Sequence, residues 1–242
     1  MYRQLLAEYG PQGWWPVPSR GGTGRRRGFD ALGYHPADYR TPRAPAARFE
    51  VIMGAVLTQN TAWTNAAAAL VRLREAGIRL PADLLALSQD ELAGLIRSSG
   101  YFNQKAKKLA SIAAFFSGPG ALSPAGAPAR AALLSEWGIG PETADSILLY
   151  AFHVPVFVVD AYTRRILARV GLIGGRETYG DIQDLFHSSI KRSAPRHNEL
   201  HALIVQHAKA HCTTRPECGT CPVRRCRHRD HGRGPVRAPR RS

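Results

Sequence analysis

No apolar run in this 242-residue chain approaches the ~20 residues of a membrane-spanning helix, which excludes an integral helical membrane protein. The amino-terminal MYRQLLAEYG lacks the charged-then-apolar order of a secretory leader, so the expectation is a cytoplasmic protein. No stretch sustains period-two alternation of apolar and polar residues, and the expected fold class is all-α. Acidic residues are scarce: 18 Asp and Glu face 33 Lys and Arg, a net charge of +15 that favours a polyanionic partner. Lysine is scarcer still, confined to Lys105, Lys107, Lys108, Lys191 and Lys209. Cysteine is absent until Cys212, Cys218, Cys221 and Cys226. Such clustering in a reducing compartment suggests a metal site rather than disulfides. With 44% hydrophobic residues the chain is globular, and its length suits one large domain or two small ones.

What is present centres on residues 133–160, LLSEWGIGPETADSILLYAFHVPVFVVD. An apolar helix end breaks at Trp137-Gly138-Ile139-Gly140, where two glycines permit a tight turn with positive φ and a close backbone approach. Pro141 suits the first position of a new helix, and Thr143 to Tyr150 continue with helical apolar spacing. Amide groups at such a hairpin and helix start can bind a phosphate without reading sequence. A β-branched run, Val156 to Val159, leads to Asp160, a favoured N-cap for a helix over 161–170. Hydrogen bonds to its charged form are expected to keep this carboxylate ionised. It reads either as a cap alone or as a held carboxylate for chemistry on DNA.

Gly138, Gly140 and Pro141, with Val-Val-Asp ending at Asp160, resemble the helix-hairpin-helix–Gly/Pro/Asp superfamily of DNA glycosylases, which includes endonuclease III. The resemblance implies that Asp160 is catalytic and that Gly138, Ile139 and Gly140 contact the DNA backbone. It also implies two domains with DNA crossing the cleft between them. Residues 44–154 form a helical barrel containing the hairpin, and 1–43 join 155–242 as the second domain. The protein is then expected to act as a monomer on double-stranded DNA containing damaged bases, near the nucleoid.

The remaining elements follow from local signals. An opening helix over 2–9 precedes GPQGWWP, which presents Trp14 and Trp15 on a loop, for packing or for contact with a ligand. Ser19 to Gly28, SRGGTGRRRG, reads as a basic loop. Phe49, Ile52, Met53, Val56 and Leu57 mark a helix ending at the polar Thr58-Gln59-Asn60-Thr61. A second helix covers 62–75, Ser88 and Glu91 form the capping-box signature of a helix running up to Gly100, and another helix covers 103–116. In that last helix Lys105, Lys107 and Lys108 are assigned to the outer face, with Lys105 a candidate DNA contact. Further helices are expected at 161–170, 179–192 and 197–210.

The cysteines are spaced C-x5-C-x2-C-x4-C. Four-cysteine zinc sites usually show two C-x2-C knuckles, and here there is one, which better suits a cubane cluster. The resemblance selects a [4Fe–4S] cluster on Cys212, Cys218, Cys221 and Cys226, each outer spacer being one residue shorter than in the family pattern. Neighbouring arginines and a basic tail over 227–242 suit backbone phosphates.

Base removal requires the target nucleotide to leave the stack. By resemblance, Gln59 fills the vacated gap. The Schiff-base lysine of bifunctional members aligns with Glu142, and a carboxylate cannot form the imine. A monofunctional enzyme follows, with Asp160 activating water and stabilising the oxocarbenium-like sugar, and Glu142 either positioning that water or simply favouring a helix start. Trp14, Trp15 and Trp63 could offer electron-rich faces to a cationic alkylated purine, where cation–π attraction contributes ~0.5–2 kcal/mol. The segments GPQGWWP, FEVIMGAVLTQNTAW and YFNQKAKKL resemble the 3-methyladenine DNA glycosylase III branch. The alternatives are a glycosylase/AP lyase acting on oxidised pyrimidines or abasic sites, and a DNA-binding protein without turnover.

Overall fold

The computed structural model describes residues 1–21 and 30–230, and among these the chain is all-helical, without strands. The basic loop expected over 19–28 lies largely outside the described residues, as does the tail beyond 230. Twelve α-helices are described. In chain order they are α1 (Tyr2–Tyr9), α2 (Pro45–Leu57), α3 (Trp63–Glu75), α4 (Pro81–Leu85), α5 (Gln89–Leu95) and α6 (Phe102–Phe115). Next come α7 (Arg130–Ser135), α8 (Pro141–Ser146), α9 (Ala161–Val170), α10 (Tyr179–Ser189), α11 (Ala194–Ala210) and α12 (Arg227–Asp230). None of the described helices is long and apolar enough to cross a membrane.

Contacts divide the chain into two units, Gly13–Pro155 and the pair Met1–Gln12 with Val156–Ser242. The first boundary differs from the one expected at 43/44. Residues 13–43 are tied into the barrel unit by main-chain bonds, with Val17 N donating to Gly33 O and His35 N donating to Gly13 O. The buried His35 ring sits between the carbonyl oxygens of Trp15 and Asp38, 2.8 Å from each. Buried Arg48 donates to the carbonyls of Ala151 (2.7 Å), Pro42 (3.2 Å) and Leu122, so one guanidinium joins three separate segments of this unit. Its charge is satisfied by carbonyl dipoles, and burial lowers its pKa.

Within the barrel unit α2 is buried along nearly its whole length, because Phe49, Val51, Ile52, Val56 and Leu57 occupy several faces. The capping box forms as its sequence signature predicts, with Ser88 N donating to Glu91 Oε2 at 2.8 Å and Glu91 N to Ser88 Oγ at 3.3 Å. The assignment of Lys105 to the outer face of α6 is corrected. Lys105 is only 2% exposed, and it shares one helical stripe with buried Leu109, Ile112 and Phe116. At i, i+4, i+7 and i+11 these four side chains point the same way, so the lysine goes in with them.

In the other unit Phe157, Val159, Ile166, Leu167, Ile182, Phe186, Leu200 and Ile204 form the core. The Phe157 and Phe186 rings stack at 3.6 Å. The α1 end is fixed to α11, where Gln12 N donates to Glu199 Oε1 and Tyr9 Oη lies within 2.9 Å of His207 Nδ1 and 2.8 Å of His211 Nδ1.

Candidate active site

The hairpin consists of α7, a turn and α8, which continues as a π-helical turn over Ile147–Ala151. Gly138 has φ +76°, which favours glycine, and a Cβ there would push aside the flexible Lys108 side chain, 2.5 Å away. Gly140 instead has φ −90° and serves as the N-cap of α8. Ile139 is buried beneath the turn, its amide donating to Glu136 O. The two hairpin helices are clamped by Arg130, which reaches the fully buried Asp145 carboxylate through Nε (2.6 Å) and Nη2 (3.0 Å).

Gln59 lies against this turn. Its Nε2 donates to Thr143 Oγ1 (2.9 Å) and Gly138 O (3.2 Å), while its Oε1 accepts from Lys108 Nζ at 2.6 Å. Tertiary folding thus brings an amine to a hairpin that contains no lysine of its own. Glu142 is exposed in the first turn of α8, where a carboxylate favours the helix dipole. Lys105 cannot reach a phosphate, since its buried Nζ donates to Leu57 O (2.8 Å) and Ser99 O (2.6 Å). It caps the end of α2, directly before Gln59.

The three tryptophans do come together, joined by a fourth ring that sequence reasoning passed over. Trp15 contacts Trp63 (5.4 Å, near-perpendicular), Tyr150 (5.0 Å) and Trp14 (6.0 Å), and Trp14 also meets Tyr150 at 6.3 Å. Trp15 is 7% exposed and enters against Gly54 of α2, where a side chain would crowd its indole nitrogen. Trp15 is packed within the barrel, whereas Trp14 and Trp63 remain half-buried. Tyr150 is fully buried, and its only sequence signal was its place on the second hairpin helix.

In the other unit Asp160 caps α9, its Oδ1 accepting from Thr163 N at 2.7 Å. Its Oδ2 lies 3.6 Å from His201 Nε2, with the two side chains 12% and 5% exposed respectively. Burial pushes this carboxyl up, yet it is held below the usual carboxylate range by His201 and the Thr163 donors. His201 was not singled out in the sequence. The signal was the spacing of His197, His201 and His207 along α11, with His211 just past its end.

Cys212, Cys218, Cys221 and Cys226 are free, half-buried, and line a single cavity together with His207, His211 and Arg169. Arg169 Nη1 donates to Cys212 Sγ (3.2 Å) and Cys212 O (3.1 Å), fixing the loop. Burial raises the Cys221 thiol, with further upward push from Cys226, Cys212 and Cys218. Mutual repulsion of that kind is the condition a bound cation relieves. Among the described residues, however, no three His, Cys, Asp or Glu side chains are gathered as a metal-ion site.

Residues 53–192 match the family described as HhH-GPD superfamily base excision DNA repair protein. The chain belongs to that superfamily. A relative from Methanocaldococcus jannaschii, named "Putative DNA repair glycosylase MJ1434", is 34% identical over 231 residues, covering 93% of this chain and 92% of its own. The Helicobacter pylori 3-methyladenine DNA glycosylase (MagIII) bound to 1,N6-ethenoadenine aligns with TM-score 0.58 and 28% identity, over 71% of this chain and 92% of that one. A non-covalent endonuclease III–DNA complex gives TM-score 0.67 at 24% identity, over 76% and 85% of the two chains. The fold is therefore of the endonuclease III type.

Proposed function

We propose that this HhH-GPD protein is a monofunctional DNA glycosylase that hydrolyses the N-glycosidic bond of alkylated purines such as 3-methyladenine in double-stranded DNA. The observation that carries this reading is the Asp160 carboxylate, kept anionic at the head of α9 although nearly buried. A fixed negative charge of this kind stabilises the positive charge that develops on the deoxyribose as the base departs. Asp160 then orients the water that attacks C1′. Glu142, in the first turn of α8, supplies no amine for an imine.

The base is recognised by the faces of Trp14 and Trp63, with Trp15 and Tyr150 as their packed support. The 1,N6-ethenoadenine in the MagIII complex is likewise a modified purine. Gln59 enters the vacated stack, which requires it to release Gly138 O and Thr143 Oγ1. The Gly138-Ile139-Gly140 turn binds a backbone phosphate.

A [4Fe–4S] cluster fits the donor set, since four thiols sharing one cavity are the ligands such a cluster needs. Cys212, Cys218, Cys221 and Cys226 would hold it, and it would supply a covalent staple for the loop after α11.

One observation favours a second reading. Lys108 Nζ is at the hairpin, bonded to Gln59 Oε1, so an amine for AP-lyase chemistry exists there. Single-turnover incubation with methylated DNA, followed with and without borohydride, separates the readings. Release of 3-methyladenine by the wild type, lost in Asp160→Asn and without a trapped adduct, supports the monofunctional enzyme. A borohydride-trapped complex that disappears in Lys108→Ala overturns it in favour of the lyase.

A further inference from the structure

The buried carboxylate of Asp160 has each oxygen attended by a different element. Thr163 N, inside α9, holds Oδ1 at 2.7 Å. His201 Nε2, from α11, stands 3.6 Å from Oδ2, a close polar contact just beyond hydrogen-bond length. The helix cap alone leaves Oδ2 free to rotate out of line, whereas a partner on the second oxygen fixes the plane of the carboxylate. The His201 ring is itself held edge-on by Phe157, 6.1 Å away at 85°. Phe157 in turn stacks on Phe186 in the unit's core, so the imidazole is carried by rigid packing.

The other polar groups nearby are differently engaged. His197, one turn earlier on α11, faces Phe157 (5.8 Å) and His187 (5.5 Å). Burial and His187 lower His197 to about 4, so it stays neutral at physiological pH. Tyr179 Oη from α10 accepts from Val159 N at 3.3 Å, next to Asp160 in the chain.

We propose that His201 is a positioning residue for Asp160, locking the plane of the carboxylate that acts on the sugar and sustaining its negative charge. The inference rests on the catalytic reading of Asp160, but the contact can be measured without base release. In carbon-13 NMR of the side-chain carboxyls, His201→Asn, too short to reach Oδ2, raises the Asp160 titration midpoint by about one pH unit. His201→Gln, which keeps an N–H near the position of Nε2, restores it part-way. Single-turnover base release from methylated DNA falls about ten- to a hundredfold in His201→Asn, while affinity for uncleavable abasic-site DNA is retained. A role in packing alone moves neither the midpoint nor the rescue by Gln.

A folded His201→Asn protein with the wild-type midpoint and rate overturns the proposal. If His201→Asn does not fold, Asp160→Asn reads the same contact from the other side. The nitrogen-15 resonance of His201 Nε2 shifts at fixed pH if the contact exists, and a stationary resonance again overturns it. A midpoint that moves in His201→Asn while the wild type releases no methylated base leaves the His201 contact standing and removes the glycosylase reading instead.

Discussion

Lys105 should make the barrel more stable in alkali than at neutral pH. Its ammonium is 2% exposed, and burial first, then the charge of Lys108, lowers its pKa from 10.5 to about 8. The unfolded chain keeps that proton to about pH 10.4. Between the two values the unfolded state binds more protons than the folded one, so stability rises with pH across this window and is flat below it. The displacement corresponds to about 3 kcal/mol, felt in full as a penalty below pH 8 and relieved as pH approaches the unfolded value. The fold tolerates it because Nζ bonds Leu57 O and Ser99 O, two buried carbonyls that cost ~1–3 kcal/mol each if left unmade. Lys105→Met removes both the penalty and the cap. Urea unfolding of wild type and variant at about pH 7.5 and pH 10 isolates the lysine, since Tyr9 and the cysteine thiols titrate alike in both. The wild type should gain about 2–3 kcal/mol relative to the variant between those conditions. Parallel stabilities at the two pH values would refute the reasoning.

Three further outcomes are expected. Arg130→Ala removes the bidentate guanidinium from the buried Asp145 carboxylate and should cost about 1.5–3 kcal/mol in urea unfolding; a loss under 1 kcal/mol would mean the clamp does not hold the hairpin. Gly138→Ala meets both the positive φ and the Lys108 stem, so unmodified-duplex affinity in a fluorescence titration should drop severalfold, with about 1–3 kcal/mol of stability lost; unchanged affinity would detach the turn from phosphate binding. Trp14→Ala should slow single-turnover release of 3-methyladenine from methylated DNA by roughly three- to thirtyfold, the loss of one aromatic face, and an unchanged rate would remove Trp14 from the proposed base pocket.

Much of the fold was legible because its signals are local. The capping box at Ser88 and Glu91, the cap at Asp160 and the helix over 2–9 each depend on a few consecutive residues, and each formed where expected. The hairpin was legible for the same reason, with Gly138 in the positive-φ turn and Pro141 opening α8. Lys105 was legible too but misassigned: its charge outweighed its place on the Leu109–Ile112–Phe116 stripe. The attachment of residues 13–43 to the barrel unit rests on His35 and Arg48, whose carbonyl partners are scattered along the chain.

Sequence alone therefore determined the helical class, the family-bearing hairpin and the carboxylate at its fixed distance beyond it. All three are properties of neighbours along the chain. Tertiary structure decided which charges are sheltered and who their partners are: Lys105 on two carbonyls, Asp145 on Arg130, Lys108 on Gln59, and His201 beside Asp160. Those pairings join residues from 6 to 49 positions apart and mostly on different helices, and burial, which sets the strength of each charge, exists only once the helices have packed.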